Sequence, residues 1–269
     1  MKRIVITGST RGIGYGLADA FLALGCNVIV SGRSQSAVDA AVGALAAKHG
    51  AMHIYGYPCD VTDFGQVRAL WDAAQSKFGG IDIWINNAGL GQPAMPIHEL
   101  SPELMRGIVE TNILGTIYGS RVALQGMVGQ GGGQIYNMEG YGSDGSMRAE
   151  ASLPVYGTSK YAIHYFNQAL ALEAKGTTVL VGWINPGMVA TEMLTRQYAG
   201  KPEEWERVKK IFNLIAERVD VVAPWLAKRI LANSKNGAKI TYGSKLQLTL
   251  RFLLAPFVKR DVFGDLAPE

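Results

Sequence analysis

Seven short apolar runs alternate with helix-length segments along the chain. Residues 4–6, 27–31, 52–58, 81–85, 134–138, 178–184 and 239–242 read as strands. Residues 15–24, 35–49, 64–78, 102–127, 156–175 and 221–232 read as the helices between them. A run such as Ile4-Val5-Ile6 is apolar at every position rather than every second one, as in a strand buried on both faces. Alternation of this kind predicts a doubly wound α/β fold, a parallel sheet with helices on both faces. Ligands of such sheets bind beyond the C-terminal ends of the strands. The length of 269 residues suits one large domain, 1–269, although length alone allows two. There is no internal repeat and no linker, and Gln130-Gly131-Gly132-Gly133 is too short to divide domains.

Two motifs carry the chemistry. Thr7-Gly8-Ser9-Thr10-Arg11-Gly12-Ile13-Gly14 joins the first strand to the first helix. Glycines in that context let the backbone approach a pyrophosphate, which rests on the N–H groups of the helix N-terminus. The spacing is Gly-x-x-x-Gly-x-Gly, not the Gly-x-Gly-x-x-Gly of the better-known dinucleotide motif. Farther on, Tyr156 and Lys160 stand four residues apart and share a helix face. A cation near a phenol favours the phenolate, and a phenol so tuned exchanges a proton with a carbonyl or an alcohol. The same spacing also fits an ordinary exposed helical pair.

Taken in order, Thr7-Gly8-x-x-x-Gly12-x-Gly14, Asp60-Val61, Asn86-Asn87-Ala88-Gly89, Asn112, Tyr156-x-x-x-Lys160 and Pro186-Gly187 resemble the short-chain dehydrogenase/reductase family over nearly the whole chain. The resemblance implies a Rossmann-type sheet, a nicotinamide cofactor, and a homodimer or homotetramer built on the Tyr156 helix and its neighbour. It makes Tyr156 the acid/base. Lys160 would hold the nicotinamide ribose and lower the Tyr156 pKa, supported by Asn112 through a water. It places Gly8, Ser9, Thr10, Arg11, Gly12, Ile13 and Gly14 at the pyrophosphate, Asp60 and Val61 at the adenine, and Asn87, Ala88 and Gly89 beside the cofactor. Pro186, Gly187, Val189 and Thr191 would meet the nicotinamide and phosphates. Read without the family, Asn86, Asn87 and Asn112 are better taken as turn and helix hydrogen-bonders. The second strand ends Ser31-Gly32-Arg33-Ser34 with no acid, and Arg11 adds a cation, so NADPH/NADP+ is the expected cofactor.

The family's customary serine is displaced. Counting from the fifth strand, its position holds Gly140, after Glu139; counting thirteen residues back from Tyr156, it is Ser143. Either Ser143 swings in on a longer loop to hold the substrate carbonyl, or it is a plain loop serine. Glu139 is expected to point aside or to cap a backbone group. Asn137-Met-Glu-Gly-Tyr-Gly-Ser-Asp-Gly-Ser146 and Asn185-Pro-Gly-Met-Val-Ala-Thr-Glu-Met-Leu194 resemble stretches of plant chlorophyll b reductases, and 210–217 also fits. Those enzymes reduce the 7-formyl group of chlorophyll b to hydroxymethyl with NADPH. The resemblance implies a carbonyl substrate, either a tetrapyrrole or another bulky aldehyde, ketone or alcohol; a non-catalytic NADP-binding regulator is the remaining alternative.

Residues 190–218 read as a substrate lid. Met188, Met193, Leu194, Trp205, Ile211, Phe212 and Leu214 either face a large flat substrate or pack on the neighbouring helix. The tail, about 245–269, combines Phe252-Leu-Leu-Ala-Pro-Phe-Val258 with Lys245, Arg251, Lys259 and Arg260, and fits a subunit contact or a membrane surface. A net charge of +4 is too mild to imply nucleic acid. Cys26 and Cys59 read as buried thiols, and His49, His53, His98 and His164 have no metal-ligand spacing, with His164 in a structural role. No signal peptide and no run of 18 apolar residues is seen, so a soluble cytoplasmic protein is expected.

Overall fold

The computed structural model describes residues 1–143, 152–255, 257–264 and 266–268. The elements run β1 (Arg3–Ile6), α1 (Gly12–Ala23), β2 (Asn27–Gly32), α2 (Gln35–His49), β3 (Ile54–Pro58), α3 (Phe64–Phe78), β4 (Ile83–Asn86), α4 (Pro102–Val109) and α5 (Gly115–Gln130). They continue β5 (Gly133–Met138), α6 (Pro154–Glu173), β6 (Val179–Asn185), β7 (Val189–Ala190), α7 (Glu192–Thr195), α8 (Pro202–Ile215), β8 (Glu217–Arg218), α9 (Val219–Leu231), β9 (Ala238–Thr241) and α10 (Lys245–Leu254). Seven strands form one parallel sheet in the order β3-β2-β1-β4-β5-β6-β9. The order reverses between β1 and β4, which opens the crevice where such folds hold ligands.

Side-chain alternation along the strands supplies two cores. Ile4, Ile6, Val28 and Val30 face α1, α2 and α9 with Leu17, Phe21, Leu45 and Leu226. Val5 and Ile29 face the opposite layer of α3 and α5, with Leu70, Trp71, Val122 and Met127. Both faces are covered, which is why the central residues Ile4–Ile6 and Val28–Val30 are apolar at every position.

Two expected elements are changed. Residues 51–53 form a 3₁₀ turn, so β3 starts at Ile54. The helix expected over 102–127 is interrupted by a π turn at Glu110–Leu114. The wider turn is pinned from inside, where the Thr116 hydroxyl donates to the Asn112 carbonyl at 2.8 Å and the Asn112 side chain is drawn toward the β4 end. Such π turns recur at functional sites.

Candidate active site

The glycine turn lies across the ends of β1 and β4. Thr7 Oγ1 accepts from the N–H groups of Asn87 (3.0 Å) and Ala88 (3.1 Å). Asn87 Nδ2 donates back to the carbonyls of Thr7 (2.9 Å) and Gly8 (3.0 Å). The packing is so close that a Cβ on Gly8 would stand 2.7 Å from Ala88 Cα, and one on Gly14 2.4 Å from Asn87 Nδ2. Gly12 sits at φ +58°, a conformation costly for any other residue, and opens α1. No side chain caps that helix, so its first N–H groups face the crevice and fit an anionic pyrophosphate. Ile13 turns the other way and packs on the core. Across the crevice, Thr191 Cγ2 lies 3.8 Å from a Gly12 Cβ position, and Arg11 pairs with Glu192 at 3.1 Å, both exposed.

The neighbouring loops are held as firmly. Ser9 N donates to the Ser31 carbonyl (2.8 Å) and Ser31 N to Ser9 Oγ (2.9 Å), locking the ends of β1 and β2 together. Thr10 packs on Gly32. Ser34 caps α2 through its hydroxyl, and Arg33 beside it is exposed. Asp60 Oδ1 accepts from Thr62 N and Thr62 Oγ1, while Val61 is buried against Gly115. After β6, Gly187 N donates to Asn185 Oδ1 at 3.1 Å beside Pro186, and Val189 pairs with Glu217.

Tyr156 and Lys160 lie on the first turns of α6, at the end of β5. Lys160 is buried, its Nζ 5.8 Å from the Tyr156 ring centre and donating to the Met138 carbonyl at 3.2 Å. A Cβ on Gly89 would stand 3.5 Å from Asn112 Oδ1 and 3.8 Å from Lys160 Nζ, so these three residues converge from β4, the π turn and α6. Asn112 is fully engaged: Oδ1 accepts from Leu90 N (2.7 Å), and Nδ2 donates to Leu90 O (3.1 Å) and Ser159 Oγ (2.9 Å). Burial pushes the Tyr156 phenol up to about 12 and draws Lys160 down to about 8, the latter opposed by the charge of Glu139. The direction is opposite to the lowering expected from Lys160, because burial desolvates the phenolate.

The displaced serine resolves sterically. A Cβ at Gly140 would stand 2.8 Å from Tyr156 Oη and 3.3 Å from Lys160 Cε, so glycine is what the phenol's position admits. Ser143 is buried, and its Oγ donates to Glu139 Oε2 at 3.3 Å; the hydroxyl expected at the substrate carbonyl serves this carboxylate instead. The rest of that loop, Asp144 to Ser146 included, lies outside the described residues. Glu139 does point aside: its side chain is fully buried with His164 Nδ1 at 2.6 Å. Gln92 escaped the sequence reading altogether. Buried Gln92 accepts through Oε1 from Val155 N and Tyr156 N, both at 3.0 Å, and so caps α6 at the end that carries Tyr156.

The segment 190–218, expected as a substrate lid, is largely its own core. Trp205 is buried with Tyr198, Phe212 and Phe263, ring centres 5.1–6.4 Å from Trp205, and Met188 and Leu194 pack on this cluster. Met193 alone reaches across to Gly91, and Ile211 is exposed. The tail is stapled beneath: Arg251 and Arg260 bind Glu217 and the carbonyls of residues 214–216, so these cations turn inward. Leu246, Leu250, Leu253 and Phe257 stay exposed, and Pro256 and Asp265 lie outside the described residues. Cys26 and Cys59 are buried free thiols, Cys59 pushed up to about 12 by burial. Among the described residues, no acidic, histidine or cysteine cluster fits a metal, and no helix is long and apolar enough to cross a membrane.

Comparison with known proteins agrees with this geometry. The short chain dehydrogenase family model matches residues 2–202. Chlorophyll(ide) b reductase NOL of Oryza sativa subsp. japonica is 38% identical over 270 residues, covering 98% of this chain and 75% of that protein. Its Arabidopsis thaliana counterpart is also 38% identical, over 98% of this chain and 73% of its own length. Among solved structures, an actinorhodin polyketide ketoreductase with NADPH superposes with a TM-score of 0.79 at 26% identity, over 91% of this chain and 97% of the other. The chain belongs to the short-chain dehydrogenase family.

Proposed function

We propose that this protein reduces a carbonyl, in the first place an aldehyde, to an alcohol with NADPH, and that Tyr156 is the proton donor. The observation that carries this reading is the convergence of Tyr156, Lys160, Asn112 and Gly89 beside the uncapped N-terminus of α1. NADPH, when bound, supplies the hydride. Tyr156 stays protonated at neutral pH, and so holds a proton ready for the oxygen of the carbonyl as that oxygen gains charge. Lys160, charged below about pH 8, stabilises the phenolate left behind and binds the nicotinamide ribose. Asn112 fixes the floor of the site through Leu90 and Ser159. With Gly140 in place of a serine, the Tyr156 hydroxyl is the side-chain donor we assign to the carbonyl oxygen, in place of Ser143.

For the cofactor, exposed Arg33 at an acid-free β2 end supports a 2′-phosphate, with Arg11 as the second cation once it leaves Glu192. For the substrate, 38% identity to chlorophyll(ide) b reductases, in alignments that cover 98% of the chain, supports a large aldehyde such as the 7-formyl group of chlorophyll b. A homodimer or homotetramer through exposed Tyr161, Tyr165 and Leu172 of α6 belongs to the same reading. The test is an NADPH oxidation screen across chlorophyll b, other bulky aldehydes and simple aldehydes, with product identified by mass. Turnover of chlorophyll b well above that of simple aldehydes supports the substrate assignment. Turnover confined to small aldehydes transfers the enzyme to another substrate, and no turnover of any carbonyl removes the activity.

A further inference from the structure

Behind the Tyr156–Lys160 pair runs a buried polar chain that the reaction as described leaves unused. Trp84 Nε1 donates to Asn86 Oδ1 (2.7 Å), and Asn86 Nδ2 donates to Asn137 Oδ1 (2.7 Å) and Ser120 Oγ (3.0 Å). Asn137 Nδ2 then donates to Asn167 Oδ1 (2.8 Å), and Asn167 Nδ2 reaches Glu139 Oε1 at 3.5 Å. The chain ends at a carboxylate with no solvent exposure, one residue past the carbonyl that Lys160 binds.

A buried carboxylate without partners is costly, and Glu139 has several. His164 Nδ1 stands 2.6 Å from Oε1, Ser143 Oγ donates to Oε2 at 3.3 Å, and Lys239 Nζ lies 3.8 Å from Oε2. Gln168 Nε2 sits 3.1 Å from His164 Nε2, so the hydrogen-bond network assigns the imidazole proton to Nδ1, where it is given to Glu139. Trp183 packs edge-on against the ring at 6.3 Å and fixes its plane. The titratable and charged groups around the carboxylate are His164 and Lys160 from α6 and Lys239 from β9, and Tyr156 lies over Lys160.

We propose that Glu139, aimed by His164, Ser143 and Asn167, is the buried counter-charge that keeps the Lys160 ammonium protonated where it meets the cofactor ribose and Tyr156. Glu139 touches neither substrate nor cofactor in this account; it is a positioning residue acting through Lys160. The inference rests on the reductase reading for its catalytic consequence, but its first readout is NADPH affinity, which requires no carbonyl turnover.

The experiment measures NADPH binding by fluorescence from pH 6 to 10 in the full-length protein, wild type against Glu139→Gln and Glu139→Asp. In the wild type, affinity falls as pH rises through about 8, where Lys160 loses its charge. In Glu139→Gln the fall begins lower by on the order of one pH unit or more, and Glu139→Asp, which keeps the charge, returns it toward the wild-type position. Lys239→Gln removes a competing cation at a partly exposed site and moves the fall upward; it decides the question if Glu139→Gln does not fold. Coincident curves for wild type and the folded Gln variant, or an unmoved curve in Lys239→Gln when that is the deciding variant, overturn the proposal. A shifted binding curve without reduction of any carbonyl leaves the proposal standing and removes the reductase reading instead.

Discussion

Gly140→Ser restores the side chain that the family pattern places after the fifth strand, yet it is predicted to damage this site. The added Cβ would stand 2.8 Å from Tyr156 Oη, short of ordinary contact by about 0.6 Å, with Lys160 Cε also close at 3.3 Å. Gly140 is not among the glycines with positive φ, so the backbone accepts serine and the effect falls on the phenol. A misplacement of about 1 Å costs on the order of 100-fold in rate, so a shift of this size predicts a loss of roughly 10- to 100-fold in kcat. Gly140→Ala should lose as much, because the Cβ rather than the hydroxyl causes the clash. The assay is steady-state NADPH oxidation with the best substrate of the screen, alongside NADPH affinity and thermal melting to confirm that fold and cofactor site persist. Equal or higher kcat in Gly140→Ser would refute the steric reasoning and return the carbonyl to a serine at that position.

Three further outcomes follow from the same geometry. Because Lys160 is charged only below about pH 8 while Tyr156 stays protonated to about 12, kcat/KM for reduction should be level below pH 8 and fall above it; a pH profile level to pH 10 contradicts this. Arg33→Ala should raise KM for NADPH about tenfold or more and leave NADH unchanged, the loss of one charge-assisted phosphate contact; equal effects on both cofactors contradict it. Gln92→Ala removes the acceptor for two N–H groups at the start of α6 and should cost about 1–2 kcal/mol in chemical denaturation, with kcat reduced; unchanged stability contradicts it.

Much of this architecture can be read from residue pattern because the governing forces are local. Apolar-rich runs of three to seven residues followed by helix signals permit little besides a covered parallel sheet, and the glycine turn needs only backbone geometry. The Tyr156–Lys160 pair is legible for the same reason, as a single helix face. What is not legible depends on packing between distant segments. The π turn at Glu110–Leu114 arises because Asn112 is drawn to Leu90 and Ser159, partners that no local periodicity reveals. Gln92 is an unremarkable loop residue until α6 presents its unpaired N–H groups. The apolar residues of 190–218 fit two readings, with packing the better one for half of them, and Trp205 is core with Tyr198, Phe212 and Phe263, the last from the far end of the chain. Ser143 kept the family spacing from Tyr156, but the buried charge of Glu139 outbids a substrate carbonyl for its hydroxyl.

The central claim is that Tyr156 gives the proton in an NADPH-dependent reduction. Its most direct test is single-turnover reduction by Tyr156→Phe, a change that removes one oxygen and leaves the ring in place. The account predicts a loss of about 100- to 10,000-fold in the chemical step with NADPH affinity unchanged. Wild-type turnover in Tyr156→Phe would contradict it.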